Sequence, residues 1–222
     1  MDIDKNLHWI GHASFYIDVN GRNIFIDPFD IRANNIPKAD MILITHAHFD
    51  HCSKKDIDRI IKPDTYMVTA PDCLNKAQYR HTTIAKPGFN ESVSGVKIEA
   101  IPAYNNNDKR LSFHPRSNDW VGYIITIDGK KLYHAGDTDY IEEMNSLENI
   151  YAAMLPIGGK YTMDVDEAVM AAKAIGADMT IPMHYKHLLG KQGSEAAEKK
   201  FAADIKGAKV MKEVQETDYS PF

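Results

Sequence analysis

The alternation of hydrophobic and polar positions predicts short strands in the N-terminal part of the chain. Residues 14–19 alternate in this way, Asn20-Gly21 follows as a turn, and 23–26 is again apolar, which together predict a β-hairpin. Residues 41–45 form a short and almost entirely apolar run, which is typical of a strand buried on both faces. This part of the chain is therefore expected to form a sheet.

Helices and further strands are predicted along the remainder of the chain. Ser53-Lys54-Lys55-Asp56 has the pattern of a capping box, and it predicts a helix that stops before Pro63. Two more helices are predicted at 164–175, closed by Gly176, and at 194–205. Short apolar runs predict strands at 65–69, 96–101, 121–127, 131–134, 152–156 and 180–183, and a closing strand at 209–214.

Strands thus recur in both halves of the chain, with helices between and after them. This order favours the α+β class, as a four-layer αββα sandwich of two mixed β-sheets flanked by helices. The chain has 222 residues, which is enough for one large domain with a substantial core, so a single domain over 1–222 is expected. Every candidate ligand identified below falls at the end of a predicted strand.

Composition and charge narrow the class of protein. The chain is 44% hydrophobic and 26% charged, as in a soluble globular protein. Its longest apolar runs are about six residues, whereas a membrane span needs about 20. The N-terminus has no signal-peptide pattern, so we expect a cytoplasmic protein without a membrane span.

Two further observations limit its partners and its redox chemistry. The formal net charge is −5 and lysine and arginine are not clustered, which argues against nucleic acid as a partner. The two cysteines, Cys52 and Cys73, are too few for a disulfide framework and are expected to be reduced thiols. Cys52 follows a histidine directly, but a buried structural role is favoured over a ligand role.

The most informative segment is His46-Ala47-His48-Phe49-Asp50-His51, which follows the apolar run at 41–45. It places three imidazoles and one carboxylate within six residues at the end of a predicted strand. Imidazole and carboxylate suit divalent cations such as zinc, manganese or iron. In an extended segment His46 and His48 point the same way, whereas Asp50 and His51 follow in the next turn, so one loop can serve two ions.

These residues form an H-x-H-x-D-H motif, and the chain resembles the metallo-β-lactamase-fold hydrolases over nearly its whole length. Within that superfamily it looks most like the branch of UlaG-type lactonases and N-acylphosphatidylethanolamine phospholipase D. Four further segments carry the resemblance: Gly11-His12-Ala13-Ser14-Phe15, Ile26-Asp27-Pro28, His134-Ala135-Gly136-Asp137-Thr138 and Ile181-Pro182-Met183-His184-Tyr185.

The resemblance implies two divalent metal ions, with zinc preferred and manganese or iron as alternatives. By resemblance, His46 and His48 bind metal 1, Asp50 and His51 bind metal 2 with His184, and Asp137 bridges the ions. Aspartate suits the bridging role because its two carboxylate oxygens can serve two cations. Asp27 is expected to accept a hydrogen bond from a ligand histidine and so to fix its tautomer. His12 is placed near the metals by resemblance, although a packed or hydrogen-bonded role is favoured for it.

The chain departs from the pattern at Asn105, where the phospholipase D branch carries a histidine. An amide oxygen is a weaker ligand than an imidazole. Three alternatives follow: Asn105 binds metal 1 weakly, His114 approaches from the long loop, or metal 1 is labile. We favour His114 and keep both residues as candidate metal ligands.

The resemblance implies a metal-dependent hydrolase of a small-molecule substrate, either a lactone or cyclic ester or a phosphodiester. The expected nucleophile is a metal-bound hydroxide in a binuclear site. Asp50 and His114 are the candidate catalytic residues, with Asp50 orienting the attacking water. The alternatives are a metal-dependent nuclease, which the acidic chain disfavours, and a non-catalytic metal-binding or sensing protein of the same fold. A homo-oligomer is compatible with the sequence.

Overall fold

The structure is a computed structural model that describes residues 3–19, 21–77 and 79–214. The chain divides into two compact units. The first comprises 1–85 and 212–222, and the second comprises 86–211. Each unit contains one six-stranded mixed sheet, so the two units can be described in turn.

The sheet of the first unit has the strand order β1-β2-β3-β4-β5-β6. Strands β1 to β3 pair antiparallel, and β3 to β6 pair parallel. The predicted hairpin corresponds to β2 and β3, although Asn20 of its turn lies outside the described residues. The elements of this unit are α1 Ile3–Asn6, β1 Leu7–Gly11, β2 Ser14–Val19, β3 Arg22–Ile26, β4 Met41–Ile44, α2 Lys54–Ile60, β5 Tyr66–Thr69, a 3-10 helix at Pro71–Asn75 and β6 His81–Ile84.

The parallel strands of this sheet explain where the histidine loop lies. All residues of β4 are buried, as the apolar run predicts, and Ile42 is in register with Phe25 of β3 and Met67 of β5. Parallel strands end at the same edge of a sheet. The segments that follow β3 and β4 begin with Asp27 and Thr45 respectively, so these segments are neighbours at that edge.

Helix α2 fixes the segment that follows β3. Ser53 caps the helix as predicted, since its side chain accepts a hydrogen bond from the backbone N–H of Asp56. The carboxylate of Asp56 serves the loop, because it accepts from the backbone N–H groups of Asp30 at 3.1 Å and Ile31 at 3.0 Å. The Ser53 hydroxyl also donates to this buried carboxylate at 2.6 Å. One side chain thus ties α2 to the loop that begins with Asp27.

The sheet of the second unit has the strand order β12-β11-β10-β9-β8-β7. Strands β7 to β10 pair antiparallel, whereas β10 pairs parallel with β11 and β11 with β12. The elements are β7 Asn90–Val93, β8 Val96–Pro102, a 3-10 helix at Arg116–Asn118, β9 Val121–Ile127, β10 Lys130–His134, a 3-10 helix at Glu142–Ser146, β11 Ile150–Pro156, α3 Val165–Ile175, β12 Met179–Met183 and α4 Lys186–Asp204.

The predicted helix at 164–175 corresponds to α3, and its ends follow local rules. Asp164 and Glu167 form a reciprocal capping box at the N-terminus. Gly176 closes the helix in the left-handed region with φ 62°, where a glycine has no steric penalty.

Several elements differ from the prediction. The polar strands β6 and β7 were not predicted, because sheet pairing rather than an apolar pattern defines them. The short strand β1 was also missed, although its Leu7, Trp9 and Ile10 are apolar and buried. Helix α4 begins at Lys186 rather than Ser194, and it contains a break at Gly190, where φ is 63° and ψ is −177°.

The predicted closing strand at 209–214 is wrong. Thr180 donates its backbone N–H to Gly207 and accepts from Lys209, and Glu213 makes an isolated bridge to Trp9. These separated contacts leave no continuous ladder in the segment, which therefore lacks the regular pairing of a strand.

The α+β class is confirmed, and two mixed sheets with four α-helices fit the predicted sandwich. None of the helices among the described residues has the length and apolar character of a membrane span. That residues 1–222 fold as a single domain stays a prediction.

We predict that Asp56→Asn lowers the free energy of unfolding by about 1–3 kcal/mol, because an amide cannot accept all the hydrogen bonds that the buried carboxylate accepts. Urea denaturation of the metal-free protein measures this change. Asp58→Asn is the matched control on the same helix, because the 47% exposed Asp58 side chain pairs with Lys54 at the surface. Its effect should stay below about 1 kcal/mol. Equal effects of the two variants would contradict the proposed tie.

Candidate metal centre

In the first unit, the rings of His46 and His48 meet edge to face, with centroids 4.7 Å apart. Their Nε2 and Nδ1 atoms, respectively, lie 3.1 Å apart. Two nitrogens bound to one tetrahedral zinc ion at the usual bond lengths lie about 3.3 Å apart, so this spacing suits a shared cation. The ring of His51 stacks obliquely on that of His46, with centroids 4.0 Å apart. Imidazoles are thus concentrated at the end of β4.

The carboxylate of Asp27 lies beneath these imidazoles and is fully buried. It accepts hydrogen bonds from the backbone N–H of Thr45 at 2.8 Å, the Thr45 hydroxyl at 2.6 Å and His51 Nδ1 at 2.7 Å. Asp27 thus accepts a hydrogen bond from His51, as expected, whereas the role of His51 as a metal ligand stays a prediction. Asp27 also has a positive φ of 45° directly before Pro28, an unfavourable conformation of the kind that persists at functional sites.

These contacts fix the tautomers of two histidines. His51 donates from Nδ1 to Asp27, which leaves the neutral ring's lone pair on Nε2. The Thr45 hydroxyl donates its hydrogen to Asp27, so its oxygen can only accept a hydrogen bond from His46 Nδ1, which lies 2.9 Å away. His46 consequently also carries its lone pair on Nε2. Metal-binding histidines commonly have this arrangement, in which the second nitrogen donates to a carboxylate or hydroxyl.

His12 has a more direct contact with the motif than the sequence suggests. Its Nε2 lies 3.0 Å from Oδ2 of Asp50, and its backbone has φ 51°. Trp9 holds this conformation by donating its indole N–H to the His12 carbonyl oxygen at 3.0 Å. The Asp50 side chain is 20% exposed, so its carboxylate is open to water as well as to His12. The sequence favoured a packed or hydrogen-bonded role for His12 and did not show its contact with Asp50, because the two residues lie 38 positions apart.

In the second unit, two imidazoles converge on one carboxylate oxygen. Nε2 of His114 lies 3.2 Å from Oδ2 of Asp137, and Nε2 of His184 lies 3.1 Å from the same oxygen. All three side chains are at least 97% buried. The structure therefore brings together three of the residues that the sequence predicts as ligands.

Asn105 determines the tautomer of His114. Its amide nitrogen donates to Asp139 Oδ1 at 2.9 Å and to the Tyr161 carbonyl at 3.0 Å, so its oxygen must face His114. That oxygen lies 2.8 Å from His114 Nδ1, which must therefore carry the proton. The direct ligand role of Asn105 stays a prediction, and these contacts favour a role in orienting His114.

The donor set fits a divalent cation. His114 Nε2 in this tautomer presents a lone pair to a carboxylate oxygen, so two acceptors face each other across 3.2 Å. Such a contact in a buried place is unfavourable unless a positive charge lies with it. In the first unit, Nε2 of His46, which carries a lone pair, lies 3.1 Å from Nδ1 of His48. Both units thus offer nitrogen and oxygen donors of the kind that zinc, manganese or iron bind.

Two further histidines, His8 and His81, and both cysteines have structural surroundings. His8 stacks on Tyr16 with ring centroids 4.4 Å apart, and burial lowers the pKa of His8. His81 stacks on Tyr66. Cys52 and Cys73 are buried free cysteines, as expected, and contact with the Cys52 thiol together with burial raises the pKa of Cys73.

Comparison with known proteins identifies the family. The beta-lactamase superfamily domain matches residues 6–184, which include the whole histidine motif. A UPF0173 metal-dependent hydrolase of Thermoplasma volcanium is 37% identical over 196 residues, covering 82% of this chain and 84% of the relative. The chain belongs to the metallo-β-lactamase superfamily. The prediction of a metal-dependent hydrolase of this superfamily is thereby confirmed, whereas the lactonase and phospholipase D branch stays a prediction.

Solved structures of this superfamily agree with that membership. A protein of Parabacteroides distasonis named as a metal-dependent hydrolase is 34% identical, with a TM-score of 0.81 over 94% of this chain and 93% of that chain. Igni18, a metallo hydrolase of the archaeon Ignicoccus hospitalis, is 26% identical, with a TM-score of 0.73 over 93% of this chain and 94% of its own. The metallo-β-lactamase fold is shown over nearly the whole chain.

We predict that Asp27→Asn weakens zinc binding about 10- to 100-fold, as is typical when the partner of a ligand histidine is changed. An amide cannot accept from both Thr45 and His51 while keeping its own hydrogens paired. Competition with a chromophoric zinc chelator measures the affinity. Asp30→Asn is the control, because Asp30 is exposed beside Arg32 and its positive φ suits asparagine. An unchanged affinity in Asp27→Asn would show that the tautomer of His51 does not depend on this carboxylate.

We predict that Asn105→Ala also weakens zinc binding about 10- to 100-fold, because His114 loses the acceptor for its Nδ1–H. The same competition assay applies. The neighbouring Asn106→Ala removes an exposed side-chain amide that donates to the Tyr140 carbonyl, and it should leave the affinity within about twofold of the original value. A loss in both variants alike would mean that the loop, rather than the His114 contact, accounts for the change.

Proposed function

We propose that this metal-dependent hydrolase cleaves a small molecule, either a lactone or cyclic ester or a phosphodiester, with two divalent ions that are zinc. The observation that carries the proposal is the convergence of two imidazole Nε2 atoms on one buried oxygen of Asp137, at 3.1 and 3.2 Å. His114 Nε2 faces this oxygen with a lone pair, and a bound cation would relieve that contact. Lactones and phosphodiesters both contain oxygens that a divalent cation polarises during hydrolysis.

We assign the ligands from the contacts within each unit and from the superfamily resemblance. The resemblance assigns both sets to the same two ions. Asn105 is moved from the ligands to a positioning role, because its oxygen is used by His114. The proposed ligands are His46, His48, Asp50 and His51 from the first unit, with His114, Asp137 and His184 from the second.

A bound divalent cation would lower the pKa of a water molecule towards 7 and polarise the substrate oxygen. The chain itself supplies orientation and a place for the proton. Asp50 has a partly exposed carboxylate that can accept a hydrogen bond from the attacking water and take its proton. His12 restricts the rotation of that carboxylate through its 3.0 Å contact. Asp50 therefore remains the proposed catalytic residue, whereas His114 acts as a ligand.

The proposal of a small-molecule substrate rests on charge. The formal net charge of −5 disfavours a polyanionic surface partner, because binding to phosphate backbones requires concentrated positive charge. A short phosphodiester needs no such surface, since the cations themselves can neutralise a single phosphate. The nuclease alternative is correspondingly weaker.

We predict two metal ions per chain by inductively coupled plasma mass spectrometry, together with turnover of γ-lactones or of bis(p-nitrophenyl) phosphate. Asp137→Asn and His48→Ala should each lower kcat/KM at least about 100-fold, because each removes a ligand of the proposed centre. Loss of bound metal should accompany the loss of activity.

His81→Ala is the control, because His81 of β6 stacks on Tyr66 of β5. This variant should leave both metal content and turnover unchanged. One ion or none per chain would refute the binuclear proposal. Two ions without turnover of any substrate in the panel would favour a metal-binding or sensing protein.

A further inference from the structure

The loop from Asn105 to His114 is closed on itself. The backbone N–H of Asn105 donates to the His114 carbonyl oxygen at 2.8 Å, which joins the two ends of the loop. The middle of the loop is exposed, with Leu111 at 47%. His114 is therefore presented by a loop rather than by a strand end, and its position depends on whatever fixes that loop.

A single buried carboxylate binds the start of this loop. Asp139 is 1% exposed, and its Oδ2 accepts from the backbone N–H groups of Asn106 and Asn107, each at 2.9 Å. Its Oδ1 accepts from the Asn105 amide at 2.9 Å and lies 2.8 Å from Nε of Arg110. Three hydrogen bonds and the ion pair with Arg110 thus pair both oxygens of Asp139.

The loop is also tied to a rigid element through Arg110. This guanidinium lies 2.5 Å from Oε1 of Glu167, and the other oxygen of Glu167 accepts from the backbone N–H of Asp164 at 2.9 Å. Glu167 belongs to the capping box at the start of α3. The backbone N–H of Asp139 in turn donates to the Tyr104 carbonyl at 3.0 Å, just before the loop. The loop is thus fixed from within the second unit.

We propose that Asp139 is a positioning residue for the metal centre, acting through Asn105 on His114. Asp139 holds the amide nitrogen of Asn105, and this contact turns the amide oxygen towards Nδ1 of His114. The carboxylate thereby directs the lone pair of His114 Nε2 towards Asp137. This inference rests on the ligand role of His114 that the proposed function assigns.

Replacement of Asp139 by asparagine tests this mechanism with little change of shape. An amide nitrogen would face the donors of the loop, and Arg110 would lose one of its two carboxylate partners. The Asn105 amide would then lose one of the two contacts that fix its orientation and keep only the one to the Tyr161 carbonyl. Changes behind a ligand histidine typically cost 10- to 100-fold in metal affinity, or about that much in activity.

The experiment is a double-mutant cycle on zinc affinity, measured by competition with a chromophoric chelator. Asp139→Asn should weaken the binding of one zinc ion about 10- to 100-fold in the original chain. In the His114→Ala background the same substitution should have an effect of no more than about twofold, because the residue it positions is absent. Asp119→Asn is the matched control, since Asp119 is 46% exposed, pairs with Lys86 and has a φ of 55° that asparagine tolerates.

A second variant and a spectroscopic readout guard against simple misfolding. Arg110→Lys keeps the charge but loses the forked geometry, and it should weaken zinc binding in the same direction by a smaller factor. The visible absorption of the cobalt-substituted protein should change in Asp139→Asn and stay unchanged in Asp119→Asn, because the spectrum reports the geometry of the ligands.

The possible failures are distinguishable. An unchanged zinc affinity in His114→Ala would overturn the ligand role of His114, and the inference with it. A weakened His114→Ala with an unchanged Asp139→Asn would overturn the inference alone. An effect of Asp139→Asn that persists undiminished in the His114→Ala background would show a general structural role, which also overturns the inference.

Discussion

The buried carboxylate of Asp27 orders the histidines of the first unit through the hydrogen bonds that it accepts. A buried carboxylate is costly unless its oxygens are paired, and Asp27 is paired with Thr45 and His51. These contacts join the end of β3 to the segment after β4. They also determine that the lone pair of His46 and that of His51 lie on Nε2. The stability of this edge and its chemistry therefore have one physical origin.

In the second unit, a chain of neutral and charged groups orients the histidine and pairs the buried carboxylate. His114 donates to an amide oxygen, the amide donates to Asp139, and Asp139 pairs with Arg110. A histidine that arrives on a loop needs more support than one at a strand end, because a loop has no ladder of hydrogen bonds to hold it. The proposed role of Asn105 is accordingly to support the imidazole of His114 with its amide oxygen, in place of binding a metal itself.

Membership of the metallo-β-lactamase superfamily fixes the class of chemistry, and the residues around the ligands refine it. Superfolds carry many reactions, so substrate choice must come from the site and its surroundings. The proposed small-molecule substrate rests on the acidic charge of the chain, and the proposed catalytic role of Asp50 on its partly exposed side chain. His12 belongs to this picture as the partner of Asp50, and it illustrates how a residue outside the motif contributes to it.

Elements and motifs that are set by residues close together in the chain were predictable from the sequence alone. The buried strand β4, the hairpin of β2 and β3, the capped helix α3 and the histidine motif were all predictable, since periodicity, turns, caps and ligand spacing are local. The metallo-β-lactamase fold followed from motifs in order. Strand pairing and hydrogen bonds between residues far apart in the chain became visible only in the folded protein. The polar strands β6 and β7 exist through pairing, His12 meets Asp50 across 38 positions, and Asn105 meets Asp139 across 34. Such hydrogen bonds leave no periodic signal, because their partners are brought together by the folding of the sheets rather than by their spacing along the chain.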